Sequence, residues 1–157
     1  MKIIDMPIGQ IKPYDRNPRN NDAAVEPVAA SIREFGFKQP IVVDAKNVII
    51  CGHTRYRAAK RLGLETVPVL VADDLTPAQV KAYRLADNKT GEAAEWLPDE
   101  LAAELGDLQD AMDMSEFGFD LGEVEIPDFD VGADQSSGGG VGDMCTCPKC
   151  GFTWRKD

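Results

Sequence analysis

Residues 49–71, IICGHTRYRAAKRLGLETVPVLV, constrain the architecture more than any other segment of the chain. Ile49, Ile50 and Cys51 make a short apolar run, Gly52 breaks it, and Tyr56, Ala59 and Leu62 recur at helical spacing until Gly63 stops the helix. TVPVLV then returns to strand. A strand that ends in glycine at the mouth of a helix leaves the first helical N–H groups pointing outward at the positive end of the helix dipole, a natural seat for phosphate. Arg55 and Arg57 add charge-assisted, bidentate donors for the same anion. The residues alone leave two readings, a phosphate cradle or solvated charges on the outer face of an amphipathic helix.

The flanking segments supply the rest of a small domain. Residues 11–20, IKPYDRNPRN, carry two prolines with turn-forming Asp and Asn and read as an extended loop. Val25, Val28, Ala29, Ile32 and Phe35 share one helical face, so a helix is predicted to begin between Asp22 and Pro27 and to end at Gly36. QPIVVD and NVIIC, either side of AKN, predict a hairpin or near-hairpin. Thr76, Pro77 and Gln79 spell a capping box with proline at the first helical position, for a helix reaching about Asp87. The expected fold class is α/β (α+β), with short elements throughout residues 1–90. Beyond them, Leu101, Leu105, Leu108 and Met112 form the stripe of an amphipathic helix in an acidic extension, residues 91–122, that packs on the body or on a partner. Residues 123–142 read as a flexible linker and 143–157 as a cysteine-rich tail.

Charge separates these regions. The chain of 157 residues has a formal net charge of −10, yet residues 1–90 hold 14 Lys+Arg against 10 Asp+Glu, and residues 91–157 hold 3 against 17. A mildly basic body and a strongly acidic tail follow. No apolar run is long enough to span a bilayer and the N-terminus lacks a signal-peptide pattern, so the expected location is cytoplasmic, away from membranes.

The order and spacing of NPR (17–19), SIREFGFKQPIVV (31–43), GHTRYRAAKRLGLETVPV (52–69) and ADNK (86–89) resemble the ParB/sulfiredoxin superfamily, in its ParB N-terminal-like branch, over residues 3–90. The resemblance implies that the counterpart of GFKQP, with Gln39, lies by a nucleotide base and sugar. It implies that the helix start, with Gly52, His53, Thr54, Arg55, Arg57 and Ala58, cradles the phosphates. It places a divalent metal on Asp87 and Asn88, whose hard oxygens suit magnesium on a triphosphate, CTP or ATP. Partition proteins usually read Gly-Glu-Arg-Arg where this chain has Gly52, His53, Thr54 and Arg55, so a carboxylate and an arginine are missing. His53, the one histidine, is the candidate for proton transfer, or else a phosphate or structural contact. Sulfiredoxins place a reactive cysteine directly after the glycine. Here Cys51 precedes it at the end of an apolar strand, which predicts a buried, inert thiol and excludes sulfinic acid repair.

Partition proteins continue into a helix-turn-helix reader and a dimerisation segment, for which this chain is expected to have no room. Residues 92–125 resemble instead the acidic helix and GFD loop that follow ParB-like (ParB-like nuclease) domains of phage and prophage, where a DNA methyltransferase is often fused behind. The chain closes on CTCPKCGFTWRKD, in which Cys147 and Cys150 have zinc-knuckle spacing and Cys145 is a third ligand candidate; three thiolates leave a closed zinc site one ligand short, so a metal-free tail stays open. Three functions remain in view. The first is a nucleotide-binding, DNA-associated protein of a mobile element, forming a nucleotide-dependent homodimer and working with a DNA methyltransferase or other phage protein. The second is an enzyme of the superfamily: a slow nucleoside triphosphatase, a nuclease or a small-molecule kinase. The third is a protein-interaction adaptor with a vestigial site.

Overall fold

The computed structural model describes residues 2–120 and two short strands, Met144–Thr146 and Thr153–Arg155. Chain contacts divide it into Met1–Pro127 and Asp128–Asp157. In the first unit four strands form one mixed sheet: β1 (Ile3–Pro7), β2 (Ile41–Asp44), β3 (Ile49–Cys51) and β4 (Thr66–Ala72), in the order β1-β4-β2-β3. The N-terminal strand β1 lies outside the elements the sequence pattern picked out. It pairs antiparallel with β4, which runs parallel to β2, and β2 forms an antiparallel hairpin with β3.

Local chemistry explains the joints. Asp44 Oδ1 accepts from the backbone N–H groups of Lys46 and Val48 at 2.8 and 2.9 Å, and Asn47 takes the left-handed conformation at φ 61°, which closes the hairpin. Pro68, which lacks a ladder donor, sits opposite Asp5 of β1 and just ahead of the β2 ladder, which begins at Ile41 and Val69. The open edge of β3 is covered by the N-terminal loop: Lys12 donates to Asn47 O and accepts from Ile49 N, each at 2.9 Å.

The helices are α1 (Val25–Phe35), α2 (His53–Arg61), α3 (Pro77–Gly91) and α4 (Pro98–Leu108). One cluster joins Ile41, Val43, Ile49, Val67 and Val69 of the sheet to Ala59 of α2. A second joins Ile50, Cys51 and Ala72 to Val80 of α3. The sheet is therefore covered by different helices, and each fully buried Ile or Val contributes about 1.5–3 kcal/mol relative to exposure. Ala58 faces Val25 and Ala29 of α1, small residues that let the two helices approach.

Two helix ends differ from expectation. The capping box forms as predicted, with reciprocal bonds between Thr76 and Gln79, but α3 runs on to Gly91 rather than stopping near Asp87. Nothing in Asp87, Asn88, Lys89 or Thr90 breaks a helix, and Thr90 bonds back to Ala86 O at 2.9 Å. α4 stops at Leu108, so Met112 lies beyond it, in a closing turn where Ala111 N and Met112 N both donate to Leu108 O at 2.9 Å. The extension is anchored to the body through a short 3₁₀ turn, Met114–Phe117, whose Phe117 ring lies 5.4 Å from that of Phe35. In the second unit, β5 (Met144–Thr146) and β6 (Thr153–Arg155) pair antiparallel, with Cys145 opposite Trp154. Cys147, Cys150 and the proposed linker, residues 123–142, lie outside the described residues.

Candidate nucleotide cleft

Gly52 opens α2 in the left-handed conformation, φ 102° and ψ 28°, and supplies no side-chain cap. The N–H groups of the first turn are consequently left for an external acceptor. They face a cleft of about 660 Å³ lined by the loop 17–21, α1, residues 36–39, the end of β3, the first turn of α2, and Asp87 with Asn88 of α3. Of the residues singled out in the sequence, Gln39, Gly52, His53, Thr54, Arg55, Asp87 and Asn88 meet there. Arg57 and Ala58 are not among its lining: Arg57 pairs with Asp22 at 2.5 Å, and Ala58 is fully buried under α1.

The cleft is electropositive. Arg19, Lys38 and Arg55 line it against one carboxylate, Asp87. Arg55 folds back over Gly52 and donates from Nη1 to both the backbone oxygen and Oε1 of Gln39, each at 3.1 Å, which ties the start of α2 to the loop before β2. Burial lowers the Arg55 pKa while the nearby Asp87 charge opposes it, and a guanidinium remains charged in either case. Val28, Ile32, Phe35 and Phe37 give the cleft an apolar wall.

Cys51 is 3% exposed, and its thiol is pushed up to about 12, first by burial and then by its hydrogen bond to Asp87. It is a neutral thiol at physiological pH, as its place at the end of an apolar strand predicts. His53 is half-buried. Its Nε2 accepts from Tyr14 N at 3.3 Å, and burial followed by the charge of Arg84 lowers its pKa.

Two arginines of this region escaped the sequence reading. Arg19, in the NPR loop, donates from Nη1 to Asn88 Oδ1 at 3.0 Å. Arg84 is the one charged residue buried among those described: its Nε donates to Ile49 O at 3.0 Å, its Cζ lies 3.9 Å from the centre of the Tyr14 ring, and Asn88 Nδ2 donates to its carbonyl at 2.8 Å. The periodicity of α3 gives no sign of Arg84, because its partners come from distant segments. The NPR motif was a signal for Arg19, though not for its partner.

A glycine-initiated helix at an electropositive cleft beside a mixed sheet makes this a small α/β domain with the geometry of an anion seat. The sequence places that domain: residues 1–88 match the ParB N-terminal domain family, and the chain belongs to it. It is 38% identical over 80 residues to the ParB-like nuclease domain-containing protein YnaK of Escherichia coli (strain K12), covering 50% of this chain and 92% of that one. It is 39% identical over 93 residues to the nucleoid occlusion protein of Bacillus cereus (strain AH187), covering 55% of this chain but only 32% of the relative. Among solved structures, the C-terminally truncated chromosome-partitioning protein ParB from Caulobacter crescentus, complexed with CTP-gamma-S, superposes with a TM-score of 0.60 at 30% identity, over 70% of this chain and 64% of that one.

Proposed function

We propose that the chain binds a nucleoside triphosphate of the CTP class in this cleft, and that bound nucleotide governs its association with DNA. The carrying observation is the convergence of Arg19, Lys38 and Arg55 on an uncapped helix N-terminus, with one carboxylate beside them. The triphosphate lies on the first turn of α2, and the base lies toward Gln39 and the apolar wall. That the related ParB was solved with CTP-gamma-S supports the nucleotide class.

Magnesium fits this reading as a passenger on the triphosphate. Asp87 offers a hard oxygen within the cleft; the oxygen of Asn88 is engaged by Arg19, so Asn88 becomes a ligand only by exchanging that partner. Among the described residues no three His, Cys, Asp or Glu form a metal site, so phosphate oxygens and water would complete the shell around Asp87. Bound metal would neutralise phosphate charge. Zinc at Cys145, Cys147 and Cys150 is a separate part of the proposal, supported by the CPKC spacing.

The mildly basic body suits phosphate contact, and the extension, with ten carboxylates and no Lys or Arg across residues 91–120, suits a basic protein partner such as a DNA-modification enzyme of a mobile element. The enzymatic alternatives have less support: His53 spends its Nε2 lone pair on Tyr14, and one cleft carboxylate is fewer than a two-metal nuclease uses.

Calorimetric titration of CTP, ATP and GTP, each with magnesium, tests the reading. Saturable binding of one nucleotide is expected, weakened about tenfold or more in Arg55→Ala, as suits one lost charge-assisted contact. Failure of all three to bind would reject the cradle. Fluorescence anisotropy of labelled duplex DNA, with and without the bound nucleotide and at two salt concentrations, tests the DNA arm; an affinity indifferent to nucleotide would reject it.

A further inference from the structure

His53 occupies the position after Gly52, where a side chain meets whatever sits on the α2 N-terminus. Its ring has two nitrogens, and the fold has already committed one. Nε2 lies 3.3 Å from the backbone nitrogen of Tyr14, a group that can only donate, so Nε2 must be bare. A neutral imidazole with a bare Nε2 carries its proton on Nδ1. His53 itself lines the cleft.

Tyr14 sits in an extended loop, and a loop alone does not hold a backbone N–H in register with a side chain 39 positions away. Backbone bonds of Lys12 to Asn47 and Ile49 and of Asn17 to the Tyr14 carbonyl hold the chain on either side, and the Tyr14 ring itself is held by Arg84. The Arg84 Cζ lies over the Tyr14 ring, 3.9 Å from its centre, and the guanidinium is itself held by Ile49 O at 3.0 Å and by Asp44 Oδ2 at 3.9 Å. Those three anchors come from the N-terminal loop, β3 and the end of β2, three separate segments that hold Arg84 from different sides. Burial of His53 disfavours a charged imidazolium, and the same cation acts in the same direction. Asp87 and Arg55 are the other charged groups of the cleft close to this turn.

We propose that Arg84 is a positioning residue which, through Tyr14, fixes His53 as the neutral Nδ1–H tautomer, so that His53 serves the cleft as a hydrogen-bond donor to a bound anion and not as a base. The donor role deepens the nucleotide reading and rests on it; the tautomer and the part of Arg84 in setting it do not. A neutral donor at this place keeps an anionic ligand attractive where an ionised carboxylate would repel it.

One histidine in the chain makes the test clean. Long-range ¹H–¹⁵N correlation spectra of the uniformly labelled full chain, recorded from about pH 5 to about pH 8 across the ordinary histidine range, report tautomer and charge directly. In wild type the Nδ1–H pattern is expected to persist to below the ordinary midpoint. In Arg84→Met, and independently in Tyr14→Ala should the first variant fail to fold, the two tautomers should mix and the titration should move back up; Arg84→Lys, which keeps the charge but not the fork, should restore the depressed titration more fully than the tautomer. A purely structural arginine would lower the melting temperature and leave the tautomer alone, and that outcome overturns the proposal. So does an Nε2–H pattern or an ordinary titration in wild type. Addition of CTP with magnesium should shift the Nδ1 resonances; binding seen by calorimetry with no such shift overturns the donor role and spares the cradle. Absence of binding rejects the cradle and the donor role with it, while the spectra of the free protein still decide the tautomer and the part of Arg84.

Discussion

Arg19 and Asn88, 69 positions apart, meet at 3.0 Å, with the guanidinium of the NPR loop donating to the amide oxygen of α3. The bond closes one rim of the cleft and occupies the oxygen that the family resemblance assigns to magnesium. Arg19 also reaches Glu92 at 3.7 Å, with both side chains about half exposed. Exposed pairs of this kind contribute about 0–1 kcal/mol. Arg19→Ala should therefore change the urea midpoint little, yet lower nucleotide affinity several-fold by removing one of three cleft cations. A large loss of stability with unchanged affinity would assign Arg19 to the scaffold instead.

Gly52→Ala should be costly twice over. An alanine at φ 102° is strained by about 1–3 kcal/mol, and its Cβ would stand 3.2 Å from Nε and Nη2 of Arg55. Chemical denaturation should show the loss of stability, and calorimetry a weaker nucleotide, because Arg55 must move off Gln39. An Arg55→Ala, Gly52→Ala double variant should recover the steric part of the stability loss but none of the affinity.

Ala58 was grouped with the phosphate-binding residues by resemblance, yet here it packs fully buried against Val25 and Ala29. Ala58→Leu should overpack the α1–α2 seam and destabilise the domain by about 1–3 kcal/mol. Any change in nucleotide affinity should follow from displacement of α1, so it should be matched by Ala29→Leu. An affinity loss confined to Ala58→Leu would return that position to the site.

Cys51 should resist alkylation in the folded chain near pH 8, where its thiol is neutral, and react on unfolding; peptide mapping by mass spectrometry separates it from Cys145, Cys147 and Cys150. Its folded pKa of about 12 exceeds the ordinary thiol value of 9.0, so the unfolded chain ionises first. The resulting contribution is fully present below about 9 and is lost as pH rises to about 12. Cys51→Ser should blunt that alkaline decline. Rapid labelling of native Cys51 would contradict the burial of its thiol.

At the acid end the sign reverses. The depressed His53 pKa means that protons bind the unfolded chain first, so its contribution is present above the ordinary value of 6.5 and is lost as pH falls through the folded value. His53→Gln should flatten the stability profile there, read as midpoint denaturant concentration against pH. An unchanged profile would place the acid sensitivity elsewhere.

The sequence by itself determined the elements whose cause is local. Gly52 and Gly63 bracket α2, Thr76 and Gln79 start α3, and short β-branched runs make β2 and β3, because caps, turns and local side-chain preference act within a few residues. The spacing of Leu101, Leu105, Leu108 and Met112 carried the reading too far, since a stripe continues on paper past Leu108, where the chain tightens into a turn with Ala111 and Met112 both bonded to the same carbonyl. Only the tertiary structure decided which charges face the cleft. Arg55 and Arg57 look alike on the helix, but one folds over Gly52 toward Gln39 and the other turns to Asp22. Arg84 looks like any surface arginine of α3, and it is buried because Tyr14, Asp44 and Ile49, from three other segments, meet around it. Burial and electrostatics depend on neighbours that only folding brings together, and no spacing rule within one helix encodes them.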